Sequence, residues 1–212
     1  MRLCFIVSPS NLLGGVFCGI IINVMKRKKV MIVMMGGQGV GKGTFSKMLM
    51  AHHDFLHIEV GAMLRALPPE SDVAKIIATG NLVSDDLLFG LMDDTINVSR
   101  DVILDGFPRK LSQAKWLVEN YSKKFNIFVL YLAVTPDVLV ARINKRIREG
   151  GGRRDDANPD AIRRRLSLFY SETMPAIEYL RNNDTVHFAE IDATGDIDEN
   201  FSEITNALKN MK

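Results

Sequence analysis

The chain has 212 residues, 47% of them hydrophobic and 25% charged, which is enough for one globular domain with a hydrophobic core. Its formal net charge of +2 is far from the bulk basicity that drives nucleic-acid binding, so we expect no nucleic-acid partner. The only two cysteines, Cys4 and Cys18, argue against a disulfide framework and a structural zinc site. They fit a reducing compartment, and we expect a cytoplasmic protein.

The first 25 residues differ in composition from the rest of the chain. An uncharged, mostly apolar run from Leu12 to Val24 is followed by Met25 and the basic block Lys26–Lys29. A secretory signal carries its charge before the apolar run, and this run is too short for a comfortable membrane span. Residues 1–28 are therefore predicted to lie outside the main domain, and no membrane partner is expected. Three interpretations stay open: a disordered or loosely docked extension, a weak membrane anchor, or a start-site artefact with Met25 as the natural start.

Short apolar runs alternate with helical stretches along the remaining chain. Such runs are typical of strands buried on both faces of a parallel sheet, and the alternation predicts an α/β fold. The predicted strands are Val30–Met35, Val102–Leu104, Ile127–Ala133 and Val186–Ile191. The predicted helices are Thr44–His53, a stretch from Met63 onward, Asp85–Val98, Ser112–Phe125, Pro136–Glu149 and Pro159–Asn182.

A glycine-rich loop follows the first predicted strand and precedes the first helix. Gly36 to Lys42 fits the pattern G-x-x-x-x-G-K, and the strand–loop–helix context is what this phosphate-binding motif requires. Glycines let backbone N–H groups converge on phosphate oxygens, the helix N-terminus adds partial positive charge, and Lys42 supplies a full charge for the β- and γ-phosphates. A dinucleotide-binding loop needs G-x-G-x-x-G, and no register through Gly36–Gly43 supplies its three glycines.

The residues after the lysine carry a family resemblance. The generic loop continues with Ser or Thr, whereas here Gly43 precedes Thr44. The resulting G-K-G-T resembles nucleoside monophosphate kinases, and adenylate kinases in particular. This resemblance implies an ATP donor with Mg²⁺ and no structural zinc. It also implies an ATP site made of Gly37, Gly39, Val40, Gly41, Lys42, Gly43, Thr44 and Arg142.

Two further segments match that family in order. His57–Arg65 resembles H-I-S-T-G-D-M-L-R, which implies that Arg65 binds the α-phosphate of the acceptor nucleotide. Gly80–Leu88 resembles G-x-L-V-[ST]-D-x-L, which implies that the backbone near Val83 touches the acceptor base. Val60 and Ala62 stand where the family usually has Thr and Asp.

The segment D-G-F-P-R, Asp105 to Arg109, with Gln113 beyond it, is the most specific match. It follows an apolar strand, so it lies at a strand's carboxyl end, where ligands bind in open α/β sheets. Asp105 is suited to hold Mg²⁺ through water, Arg109 offers a planar fork to phosphate, and Gln113 has the donor and acceptor that match an adenine edge. The implied AMP site contains Val60, Gly61, Arg65, Val83, Gly106, Arg109 and Gln113.

The arginine-rich region from Arg142 to Arg165 resembles the family's lid. Arg142 and Arg146 lie four residues apart and share a helix face. When the family's lid pattern is aligned with this chain without a gap, its arginines fall on Arg154 and Arg165. An alternative alignment uses Arg153 and needs a one-residue insertion.

The spacing between these arginines indicates the short-lid form, because the long lid with zinc-binding cysteines has no room. We expect Arg163 and Arg164 to be solvated.

The resemblance implies a three-layer P-loop fold with a five-stranded parallel sheet in a kinase domain of residues 29–212, and we expect a monomer. The acceptor-binding lobe is expected at 59–88 and the short lid at 147–158. The implied activity is reversible transfer of the ATP γ-phosphoryl to AMP, giving two ADP. Two alternatives stay open: a UMP/CMP-type kinase with the same machinery, and an inactive nucleotide-binding regulatory protein. The implied catalytic cations are Lys42, Arg109, Arg142, Arg146, Arg154 and Arg165.

Overall fold

The computed structural model describes residues 28–150 and 158–210. Its centre is a parallel sheet of five strands in the order β2-β3-β1-β4-β5. The predicted α/β fold with a five-stranded parallel sheet is thereby confirmed. The strands are β1 (Lys29–Met35), β2 (Phe55–Glu59), β3 (Asp101–Asp105), β4 (Phe125–Ala133) and β5 (His187–Asp192).

Helices connect the strands and cover the sheet. The long helix predicted from residue 159 to 182 is present as two α-helices, Pro159–Leu168 and Met174–Arg181, joined by a π-helical turn at Phe169–Thr173. The α-helices of the described ranges are α1 (Lys42–His52), α2 (Val60–Arg65), α3 (Asp72–Ala78), α4 (Asp85–Thr95), α5 (Leu111–Tyr121), α6 (Pro136–Arg148), α7 (Pro159–Leu168), α8 (Met174–Arg181) and α9 (Ile197–Asn210). None of these helices is both long and apolar enough to span a membrane.

The strands alternate between two hydrophobic cores, one on each face of the sheet. In β1, Met31, Val33 and Met35 belong to one core, whereas Ile32 and Met34 belong to the other. Successive side chains of a strand point to opposite faces, so both faces of this strand are buried. Helices α4, α5 and α8 contribute to the first core and α1, α6 and α9 to the second, which gives three layers.

Two elements were not predicted from the sequence. Strand β2 is short, contains the polar His57 and Glu59, and lies at the sheet edge beside β3 only. Helix α9 begins after a polar turn and contributes Ile204 to the second core.

The sheet register brings the functional segments to one edge. Met34 is paired with Asp105, and Asp105 is paired with Glu59, so β1, β2 and β3 end side by side. The glycine-rich loop, the start of α2 and the turn after β3 therefore meet at the carboxyl edge of the sheet. This is where open parallel sheets bind their ligands.

Candidate active site

A cleft of about 1010 Å³ lies at this edge of the sheet. Two predicted site residues are not among those that line it: Gly37, a buried residue of the glycine-rich loop, and Arg154, which lies outside the described residues. The other predicted site residues border the cleft together: Gly39, Val40, Gly41, Lys42, Gly43, Thr44, Val60, Gly61, Arg65, Val83, Asp105, Gly106, Arg109, Gln113, Arg142, Arg146 and Arg165.

The glycine-rich loop packs closely against α6. A Cβ atom on Gly37 would lie 2.4 Å from Leu139 Cδ1, so a larger residue would push the loop away from that helix. Gly39 has a φ of +88°, a conformation that residues with a Cβ rarely adopt. Glycine at these positions thus lets the loop pack closely against α6 and take its tight turn. Gly37 is itself buried where the loop meets α6.

Lys42 lies over the loop at the start of α1. Its Nζ donates hydrogen bonds to the carbonyl oxygens of Gly36 and Gly37, at 2.8 and 3.1 Å. The ammonium group is therefore placed at the loop mouth, beside the partial positive charge of the helix N-terminus. A phosphate entering the loop would meet both charges.

Asp105 faces the end of the loop from β3. Its carboxylate oxygen Oδ2 lies 3.9 Å from the position of a Cβ built on Gly43, and the residue is only 5% exposed. A carboxylate so close to a phosphate-binding loop suits a hydrated divalent cation that also contacts the phosphates. Within residues 28–150 and 158–210, no group of three or more His, Cys, Asp or Glu side chains could hold a metal ion by itself.

Arg142 connects the loop with the chain after β5. Its Nη1 donates to the carbonyl of Val40 at 3.2 Å, and its Nη2 donates to the carbonyl of Ala193 at 2.8 Å. These two bonds fix the guanidinium at the wall of the cleft. Arg146, one helical turn further along α6, borders the cleft as well.

Arg65 and Arg109 stand over two closely spaced glycines. A Cβ on Gly61 would lie 2.9 Å from Arg65 Nη1, and a Cβ on Gly106 would lie 3.2 Å from Arg109 Nη2. Arg65 also forms an ion pair with Glu59, with 2.9 Å between Nη2 and Oε1. The absence of side chains on the two glycines leaves both guanidinium groups close to one backbone surface, as a phosphate site requires.

Gln113 is fully buried within α5 but borders the cleft. Its Oε1 accepts a hydrogen bond from the backbone N–H of Arg109 at 2.7 Å, and its Nε2 donates to Asp85 Oδ1 at 2.9 Å. Burial alone would raise the pKa of Asp85, but hydrogen bonds from Ser112, Gln113 and Lys110 outweigh it and lower that pKa.

The arginines of α7 have different surroundings. Arg165 borders the cleft. Arg163 forms an exposed ion pair with Asp160, and Arg164 donates a hydrogen bond to Asn81. Both Arg163 and Arg164 are exposed, as predicted, and Arg164 also joins α7 to the chain before α4. Arg153, the residue of the alternative lid register, lies outside the described residues.

Sequence reasoning missed several residues of this site. Glu59 and Asp85 lie inside the quoted segments, but their contacts with Arg65 and Gln113 depend on tertiary structure. The turn from Gly195 to Asp198 also borders the cleft, beyond the quoted motifs. A signal for that turn is its position directly after the last strand, at the carboxyl edge of the sheet.

Comparison with known proteins agrees with this site. Residues 34–185 match the family model described as adenylate kinase. A protein named adenylate kinase from Stenotrophomonas maltophilia (strain K279a) is 33% identical over 189 residues, which cover 84% of this chain and 98% of that protein. Adenylate kinases from Xanthomonas euvesicatoria pv. vesicatoria (strain 85-10) and Hyphomonas neptunium (strain ATCC 15444) are 34% and 33% identical, each over 84% of this chain and over 98% and 97% of their own lengths.

The family model covers more than half of the chain, and the relatives align along almost their whole length. The strand–loop–helix around Lys42 and the arginine pair at Gly61 and Gly106 lie inside the matched residues. The chain belongs to the adenylate kinase family.

Proposed function

We propose that this protein transfers the γ-phosphoryl group of ATP to AMP and gives two ADP in a reversible reaction. One observation carries the proposal: a single cleft joins the phosphate-binding loop with Lys42 to the guanidinium groups of Arg65 and Arg109. Family membership supports the same activity. A donor site and an acceptor site in one cleft allow direct transfer, because both reactants are held in a reactive orientation.

The donor half of the cleft binds ATP in this proposal. Backbone N–H groups from Gly39 to Thr44 bind the phosphates, and Lys42 leaves the carbonyls of the loop to bind the β- and γ-phosphates. Arg142, already fixed against the loop and against Ala193, binds the ATP phosphates in this proposal.

The acceptor half binds AMP. Arg65 and Arg109 take its α-phosphate, for which their planar forks are suited. Val60, Gly61, Val83 and Gly106 shape the pocket. Gln113 reads the adenine edge with its paired donor and acceptor.

Catalysis uses positioning and electrostatics and forms no covalent intermediate. Negative charge spreads over the transferred group, and six cations are proposed to surround it. They are Lys42, Arg109, Arg142, Arg146, Arg154 and Arg165, of which Arg154 belongs to the segment outside the described residues. We further propose an acceptor-binding lobe at 59–88 and a short lid at 147–158, whose closure keeps water from the γ-phosphate. We assign residues 1–28 no role in this machinery.

Mg²⁺ fits the residues present. Asp105 would hold it through water opposite Gly43, and the ion would neutralise phosphate charge when bound with ATP. The proposal also includes a monomer acting in the cytoplasm on ATP and AMP.

A label-transfer experiment tests the proposed function. The protein is incubated with Mg²⁺, ATP labelled at the γ-phosphate and unlabelled AMP. The proposal expects the label in the β-phosphate of ADP, with little free inorganic phosphate. Label in inorganic phosphate alone would indicate hydrolysis, and no transfer to any monophosphate would indicate an inactive nucleotide-binding protein; either result contradicts the proposal.

A further inference from the structure

The amide of Gln113 is held by two partners of opposite chemistry. The backbone N–H of Arg109 donates to its Oε1, and Oδ1 of Asp85 accepts from its Nε2. A backbone N–H can only donate, and an ionised carboxylate can only accept. Rotating the amide by half a turn would put donor against donor and acceptor against acceptor. The two partners therefore define which side of the amide carries the nitrogen.

Asp85 is itself fixed in place. It is the first residue of α4, and its side chain is 25% exposed. Its second oxygen accepts from the hydroxyl of Ser112, and Lys110 Nζ lies 3.2 Å from the first oxygen. Burial opposes ionisation, but these hydrogen bonds outweigh it and lower the pKa, so the carboxylate is ionised at neutral pH and cannot donate to Gln113.

We infer that Asp85 is a positioning residue that sets base specificity by fixing the orientation of the Gln113 amide. The inference rests on the proposed function, in which Gln113 faces the acceptor base. Each amide atom of Gln113 keeps one further hydrogen-bonding position, and this pair complements a base edge with an amino donor beside a ring-nitrogen acceptor. Adenine and cytosine have that edge. Hypoxanthine and uracil have the reverse, a carbonyl acceptor beside an N–H donor.

Two matched pairs of acceptors separate the orientation of the edge from the size of the base. AMP and inosine monophosphate share a purine ring, and CMP and UMP share a pyrimidine ring. In the wild type, kcat/KM for AMP should exceed that for inosine monophosphate by at least about a hundredfold, because the reversed edge leaves buried polar groups unpaired. CMP should likewise be a better acceptor than UMP. These ratios test the fixed amide without any variant.

The decisive variant is Asp85→Asn, which keeps the shape but offers either an acceptor or a donor to Gln113. A reversed Gln113 amide then meets one mismatch, donor against donor at the backbone N–H of Arg109, instead of a mismatch at both partners, so both ratios should fall by about tenfold or more. Asp86→Asn is the matched control, since Asp86 is exposed in the same first turn of α4. It removes the same charge at the same helix end and should leave both ratios unchanged. Thermal unfolding of both variants monitors folding.

The outcomes distinguish the inference from the proposed function. Failure of the wild type to phosphorylate AMP would contradict the proposed function. Efficient phosphorylation of AMP with a similar kcat/KM for inosine monophosphate would contradict only the claim that the Gln113 amide is fixed in orientation. A folded Asp85→Asn variant with wild-type ratios, or an equal loss of selectivity in Asp86→Asn, would show that Asp85 does not set the specificity.

Discussion

Substitution of Gly61 by alanine should separate acceptor binding from stability. Gly61 lies in α2 without a positive φ, so alanine is compatible with its backbone. Glycine in a helix is less favourable than alanine by about 0.5–1 kcal/mol, so the variant should be as stable as the wild type or slightly more stable. The new Cβ, however, would lie 2.9 Å from Arg65 Nη1 and 3.6 Å from Cζ and Nη2. The guanidinium must move because no Cβ contact is that short.

The cost to AMP binding follows from the displaced guanidinium. A hydrogen bond to a charged group contributes roughly 1.5–3 kcal/mol, and each 1.4 kcal/mol is a factor of about ten in Kd. If Arg65 loses one bond to the α-phosphate, the Kd for AMP should rise by about ten- to a hundredfold. ATP binding should change little, since Lys42 and the glycine-rich loop are unaffected.

Calorimetric titration with AMP and thermal unfolding measure the two effects on the same samples. Gly90→Ala is the matched control: Gly90 also lies in a helix, α4, and a Cβ there meets nothing within 4 Å. It should stabilise the protein similarly and leave the Kd for AMP unchanged. An unchanged Kd for AMP in Gly61→Ala, or an equal loss in Gly90→Ala, would refute the role of Arg65 as an acceptor-phosphate ligand.

Three further predictions test other parts of the site. Lys42→Ala should remove about 3–4 kcal/mol of transition-state stabilisation and so lower turnover severely, while the unfolding temperature stays nearly unchanged. A variant that keeps more than about a tenth of wild-type turnover would contradict the catalytic role of Lys42. Val60→Thr should widen the kcat/KM preference for AMP over CMP and UMP by up to about tenfold, and Gln113→Ala should narrow it; the reverse order would contradict this view of the base pocket. Asp85 has a folded-state pKa below 3.8, so its contribution to stability is present above that pH and is lost as pH falls through the folded pKa. The difference in unfolding free energy between wild type and Asp85→Asn, measured by urea titration, should therefore shrink below pH 3.8.

Local patterns were sufficient for the donor half of the site. An apolar run, a glycine-rich loop and a helix are consecutive in sequence, so β1, the loop and Lys42 followed from spacing alone. The arrangement of Asp105 and Arg109 at a strand end followed from the same reasoning, because a strand's carboxyl end is readable from its last apolar residue.

Contacts between distant segments were not readable in this way. Asp85 and Gln113 are 28 residues apart and meet only because the first turns of α4 and α5 lie side by side. Strand β2 was missed because an edge strand of five residues with His57 and Glu59 lacks the apolar run of a central strand. The position of Gly37 beneath Leu139 depends on how α6 packs against the loop, which no local pattern contains.

The most direct test of the central claim is kcat/KM for ADP formation from ATP, with AMP, CMP and UMP as acceptors in separate coupled assays. We predict that AMP is the best acceptor, that transfer depends on Mg²⁺, and that CMP and UMP give lower kcat/KM values. A higher kcat/KM for CMP or UMP would contradict the assignment to AMP and favour a UMP/CMP-type kinase, and no ADP formation with any acceptor would contradict phosphoryl transfer itself.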